Sequence, residues 1–376
     1  MKIVVAPDSF KGSLTSVQAA ANIVKGIDAV MPQAEVIQKP MADGGEGTME
    51  ALLTAANGDS IPLNAAGPLG EKVTTAYAIT ESKTAIIECA AIAGLTQVPE
   101  TKRNPDHTTS FGIGEAVKDA MEKNCSEIII GLGGSAVNDG GLGMLQTLGL
   151  KAFDVHGEEV GFFGKDLHQV DAIDFSGVDY RLKDMSIKVA SDVDNPLCGE
   201  HGATYVYGPQ KGAAHEQLEA YDQAMEHFGR LVENEIGEHL MNQAGAGAAG
   251  GLGFALLSLG AELISGAKLV AEASRVEEAI RESDLVITGE GQSDEQTLYG
   301  KAPGYIASLA KKYDVPVILL SGSLGGNLDA LSDHFSGCFS ITNKPLSLEA
   351  CMKNAGVLLT EQTQLVMNLI KVLRDK

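Results

Sequence analysis

No apolar run in this chain approaches the ~18 residues that a membrane-spanning helix needs, so no transmembrane segment is expected. The opening Met1-Lys2 leads directly into IVVA without a long apolar stretch. No signal peptide is therefore expected, and the reading is a cytoplasmic protein without a membrane partner. The five cysteines (Cys89, Cys125, Cys198, Cys338, Cys351) are scattered and form no CxxC pair. That argues against a disulfide framework and for a reducing compartment. Positive charge is scarce: 28 Lys and Arg against 50 Asp and Glu give 28 − 50 = −22. With no basic run to meet phosphates, a nucleic-acid partner is excluded. None of the eight histidines pairs at HxxxH or HExxH spacing, which disfavours a zinc site. A GxSxG elbow is missing, as is a strand-to-helix GxGxxG with its later acidic residue, so neither a hydrolase triad nor a dehydrogenase has support. GxxxxGK[ST] is absent too: Ala302 follows Lys301, which closes another glycine loop.

Glycine, by contrast, is abundant, at 44 of 376 residues against a usual ~7%. Helices and strands tolerate it poorly, so it belongs in loops, where it brings backbone N–H groups close to ligands. The length favours two domains. Short β-branched runs recur at 2–6, 35–39, 126–132, 186–190, 284–288, 315–320 and 337–341. Amphipathic stretches separate them. Thr15 with Gln18 reads as a capping box opening a helix to about Met31, and Ser274 with Glu277 repeats the signal. Helices are also expected at 214–236, 301–313 and 347–374, and a β-hairpin at 74–90. Alternating strands and helices predict an α/β fold: a doubly wound, Rossmann-like domain from both chain ends (1–66 and 285–376), with a second α/β domain inserted at 67–284.

Five loops could carry chemistry, most of them directly after a β-run. APDSFKGS (6–13) presents Asp8, Ser9 and Lys11 before the capped helix. MADGGEGT (41–48) sets Asp43 and Glu46 around two glycines, which suits Mg²⁺ or a substrate hydroxyl. IIIGLGGSAVNDGGLG (128–143) has the form of a phosphate cradle, with Ser135, Asn138 and Asp139 expected exposed among its five glycines, Gly133 and Gly134 included. It bears a weak likeness to the GLGSSA loop of GHMP-type kinases, whose pattern lacks the Asn-Asp-Gly-Gly continuation. ASDVDNPLCG (190–199) places Asp192 and Asp194 in an oxygen-rich turn fit for a metal or for taking a proton. TGEGQSDEQTLYGKAP (288–303) sets Glu290 and Asp294 before Lys301, and Arg103 in RNPDHTTSFGIG (103–114) is a candidate anion contact. Each loop has a plainer reading, as an Asx turn or a solvated helix start. AGAGAAGGLG (244–253) reads equally as close packing, a linker or a ligand loop. One ligand site assembled from several strand ends accounts for the recurrence.

With these residues in view the chain resembles the glycerate kinase type-1 family. The likeness runs through APDSFKGS at 6–13, DGGEGT at 43–48, RNP at 103–105, GLGGSAVNDGG at 131–141, SDVDNPLCG at 191–199, GAAGGLG at 247–253 and TGEGQSDEQTLYGKAP at 288–303. Val137 departs from it, since family members often carry Thr there. The resemblance implies ATP-dependent phosphorylation of D-glycerate to 2-phosphoglycerate, with Mg²⁺, in an interdomain cleft. By that likeness Lys11, Asp43, Asp192, Asp294 and Lys301 are functional positions. The chemistry of phosphoryl transfer suggests Asp192 as base and Lys11 on the transferring phosphate. Asp8, Ser9, Asp43 and Arg103 are then expected on the substrate. Gly133, Gly134, Ser135, Asn138, Asp139 and Lys301 are expected on the nucleotide phosphates, and Glu290 and Asp294 on the metal. Phosphorylation at the 3-hydroxyl, a kinase of another small hydroxy acid or polyol, and a non-catalytic metabolite sensor stay open. The chain is expected to be a monomer or homodimer.

Overall fold

β-branched residues at the chain start and after residue 284 make a sheet whose central strands are buried on both faces, as their continuous apolar runs require. In the computed structural model, which describes residues 1–45, 47–298 and 300–374, this sheet holds β1 (Lys2–Val5), β2 (Glu35–Gln38), β11 (Leu285–Ser293), β12 (Val317–Leu324) and β13 (Gly337–Ser340). All neighbours are parallel, in the order β13-β12-β11-β1-β2. Its core includes Ile3, Val5, Ile287 and Leu320, under the helices Ser16–Val30 and Ala355–Arg374. The Thr15–Gln18 capping box is formed.

A second sheet has the order β10-β9-β6-β5-β4-β3. Its members are β3 (Gly58–Ala66), β4 (Lys72–Thr80), β5 (Thr84–Glu88), β6 (Glu127–Gly131), β9 (Ser186–Ala190) and β10 (Glu262–Ile264). β5, β6, β9 and β10 run parallel, and β3 and β4 pair antiparallel at one side. The expected hairpin is β4 and β5. β7 (Lys151–Phe153) and β8 (Ala172–Asp174) form a separate antiparallel pair.

The chain divides into two compact units: Met1–Asp43, Glu50–Asn57 and Ser265–Lys376 form the first, Gly44–Met49 and Gly58–Ile264 the second. The expected borders at 67 and 284 differ from these at both ends. β3 pairs with β4 along its whole length, which draws 58–66 into the second unit. Residues 265–284 go with the first because Glu277 accepts from Lys312 Nζ (2.6 Å) and Tyr313 Oη (2.7 Å). The second capping box is not formed. Ser274 instead ends the helix Gly266–Ser274, donating its hydroxyl back to Ala271 O at 3.2 Å, and Arg275 turns left-handed at φ 55°. The expected helix 347–374 is two, Leu348–Lys353 and Ala355–Arg374. Among the described residues no helix is long and apolar enough to cross a membrane.

Candidate active site

In the first unit the strand order reverses between β1 and β11, the point where open parallel sheets receive ligands at their carboxyl ends. Past Val5 the chain stays extended: Ala6 N donates to Ile287 O and Asp8 N to Gly289 O, both at 2.8 Å. Asp8 is thereby carried to the sheet edge beside β11. The residue keeps some exposed surface, yet its carboxyl is enclosed by protein. Burial pushes its pKa from 3.8 up to about 7, and the charges of Asp43 and Glu290 push the same way. The Ser9 N–H, 2.6 Å from Oδ1, and Lys301 oppose them.

A pH dependence follows. The folded pKa exceeds the unfolded one, so the folded state holds the proton more tightly. The stability contributed by Asp8 is complete below about pH 4 and is lost as pH rises toward about 7. Without divalent metal, Asp8→Asn is therefore expected to melt above the parent at pH 8, the gap closing toward pH 4. Thermal melts of both proteins across that range check it.

β11 extends to Ser293, so Glu290 is a buried strand residue and does not face a loop as the sequence suggested. Its Oε1 accepts from Ser293 Oγ (3.0 Å) and Thr297 Oγ1 (2.6 Å), while Oε2 stands 3.6 Å from Lys301 Nζ. Ser293 Oγ in turn lies 2.6 Å from Ser321 Oγ on β12. Asp294 forms an Asx turn, Oδ1 accepting from Gln296 N at 2.9 Å. Lys301 stands directly before the helix Ala302–Lys312, its side chain making no capping bond. Exposed Lys11 has its backbone against Gly291, so the first and fifth motifs adjoin. Glu46 and Tyr299 lie outside the described residues. Among the described residues no group of three or more His, Cys, Asp or Glu could hold a metal ion.

In the second unit four parallel strands end on one line, where Glu88, Gly131, Ala190 and Ile264 are register partners. Gly44 and Gly45 lie across that line. Gly133 N donates to Gly44 O at 3.4 Å, and a Cβ on Gly131 would stand 2.5 Å from the same oxygen. Gly44, at φ +84°, would bring a Cβ within 2.6 Å of Ala190 Cβ. Only glycine permits this approach of three backbones. Glu88 fixes the segment further, accepting from Met49 N at 2.6 Å. Asp192 is exposed two residues beyond Ala190.

The glycine loop is more closed than its sequence suggested: Ser135, Asn138 and Asp139 are buried, not exposed. Asp139 accepts from Ser110 N (2.8 Å), Ser110 Oγ (2.7 Å), Gly141 N (3.1 Å) and Gly143 N (3.4 Å). Its carboxylate therefore ties the loop to two helix starts. Gly133 and Gly134 precede this knot, with Gly134 O accepting from Leu95 N at 2.8 Å. Arg103 is half-buried in this unit, its Nε without a partner. The 244–253 run is a packing element: Gly140 N donates to Gly250 O at 3.0 Å, and Gly247 N to Asn195 O at 2.9 Å. Asp8, Asp43, Glu290 and Lys301, all singled out from the sequence, act on one another's charge in the structure. Reasoning from sequence missed Glu88, Ser321, Thr204 and Lys211. The first two close apolar strand runs, and that was their only signal.

A family model described as the glycerate kinase family matches residues 3–371. The glycerate kinase of Bacillus subtilis (strain 168) and the glycerate 2-kinase of Escherichia coli (strain K12) are each 45% identical over 358 residues, 94% of both chains. A Halalkalibacterium halodurans glycerate kinase is 44% identical over 362 residues, 96% of this chain and 95% of its own. A crystal structure described as a glycerate kinase 2 from Salmonella typhimurium LT2 superposes with a TM-score of 0.91 at 41% identity, covering 100% of each chain. The motifs that built both strand-end clusters thus lie within one continuous match, and the chain belongs to the glycerate kinase family.

Proposed function

We propose that the chain transfers the γ-phosphoryl group of ATP to the 2-hydroxyl of D-glycerate. The observation that carries this reading is the enclosed Asp8 carboxyl amid the charges of Asp43, Glu290 and Lys301 at the sheet's switch point. Crowded negative charge with one cation suits a site that completes itself with a charged ligand. Asp8, Ser9 and Asp43 orient the substrate hydroxyls, and Arg103 takes its carboxylate. Lys11 and Lys301 neutralise phosphate oxygens, which is the main need of a loose phosphoryl transition state. The backbone of Gly133 and Gly134, with Ser135, contributes to phosphate binding, and Asn138 and Asp139 hold that loop in shape. Asp192 accepts the hydroxyl proton.

Mg²⁺ suits Asp8 and Asp43, whose mutual repulsion a hydrated dication relieves. At the expected pair a metal would compete with existing contacts, since Glu290 accepts from Ser293 and Thr297 and faces Lys301, and Asp294 accepts from Gln296. A bound Mg²⁺ supplies charge neutralisation of the nucleotide phosphates.

ADP release in the presence of ATP and glycerate, glycerol or glyoxylate tests the reading. Release with glycerate alone supports it. Release with another acceptor points to a different small-molecule kinase, and silence with all three to a sensor.

A further inference from the structure

Lys211 is buried, with 2% of its surface exposed, at the end of the turn Pro209–Lys211. Its Nζ donates to Val137 O at 2.6 Å, inside the glycine loop. We propose that Lys211 is a positioning residue for the phosphoryl transfer, holding the Val137 carbonyl so that the loop 131–141 keeps its ligand-binding shape. This rests on the reading of that loop as a phosphate site.

The geometry leaves the carbonyl little freedom. A Cβ at Gly250 would lie 2.1 Å from Val137 O. The lysine is itself fixed from behind, since a Cβ at Gly212 would stand 2.1 Å from Arg103 O. The next loop residue is held by the same segment: Asn138 Nδ2 donates to Thr204 Oγ1 at 3.1 Å. Asp139 follows with its own four donors. Three consecutive loop residues are thus clamped by separate groups.

The electrostatics are adverse to stability. The ionisable groups facing the ammonium are Cys89, whose thiol burial pushes to about 12, and Asp139, whose oxygens are committed elsewhere. Arg103 adds a backbone contact beside it. Among the described residues Lys211 pairs with no carboxylate, and burial pulls its pKa down to about 8. An ammonium has three donors, and a buried one without a counter-ion is costly. Methionine would fill the same space without a buried charge but would leave the Val137 carbonyl without this donor, so the two effects oppose each other in stability.

Lys211→Met and Lys211→Gln test this. The methionine variant is expected to stay folded, to lose about ten-fold in kcat and to bind ATP more weakly in a direct titration. Lys211→Gln, which can still donate to the Val137 carbonyl, is expected to recover most of that loss. Parent-like kcat and ATP affinity in a folded Lys211→Met would overturn the proposal. So would failure of both variants to fold, which would make Lys211 a structural residue only. A parent enzyme inert toward every acceptor would instead sink the functional reading, while the ATP titration still judges Lys211.

Discussion

Asp192→Asn leaves the fold intact and lowers kcat by about 10²–10³-fold. Asparagine keeps the size of the side chain and loses the ability to accept a proton. The turn is also held by hydrogen bonds that do not involve that carboxylate. Asn195 Nδ2 donates to His201 O at 2.7 Å, and Tyr207 Oη donates to Asn195 Oδ1 at 2.6 Å. Leu197 N reaches Met241 O at 2.8 Å, and Gly247 N reaches Asn195 O at 2.9 Å. Thermal unfolding should therefore match the parent while turnover collapses, with KM for glycerate little changed. Steady-state kinetics at saturating ATP decide the matter. A kcat near that of the parent would remove Asp192 from the role of base.

Asp139→Ala has the opposite signature: a large loss of stability, with activity lost as its consequence. Burial alone pushes this carboxyl's pKa up, and the four donors from Ser110, Gly141 and Gly143 act against that push. Alanine leaves all four donors buried with no acceptor. Each orphaned donor costs ~1–3 kcal/mol before relaxation, and a net loss of about 3–4 kcal/mol is expected. Against a total of ~5–15 kcal/mol, that is a serious fraction. Asp139→Asn keeps one acceptor oxygen but turns an amide N–H toward donors, so it should fall between alanine and the parent. Denaturant unfolding measures both, and a loss below ~1 kcal/mol for alanine would contradict the assignment.

The parts of this fold that were legible in the sequence are those whose physics is local. The runs IVV and IIIG read as strands because β-branched residues buried on both faces need no partner to declare themselves. Thr15 and Gln18 read as a cap because both hydrogen bonds lie within one turn. β3 was missed, since GDSIPLNAA carries Gly, Asp and Pro62 and owes its extended form to β4. Ser274 misled because its hydroxyl finds Ala271 O, a competing local acceptor. At the site, acids that follow apolar runs, such as Asp8 and Glu290, showed up in the pattern. The burial of Asp139 did not, because its partner Ser110 lies far away in the chain and no spacing rule joins them. Lys211 was invisible for the same reason: a single lysine in a polar segment announces nothing until Val137 is placed above it.

The most direct test of the central claim is the product formed from ATP, Mg²⁺ and D-glycerate, followed by phosphorus and proton NMR. The account predicts a single phosphorylated species coupled to the C2 proton, 2-phosphoglycerate. Coupling to the C3 methylene protons, the signature of 3-phosphoglycerate, or no phosphorylated glycerate at all, would contradict it.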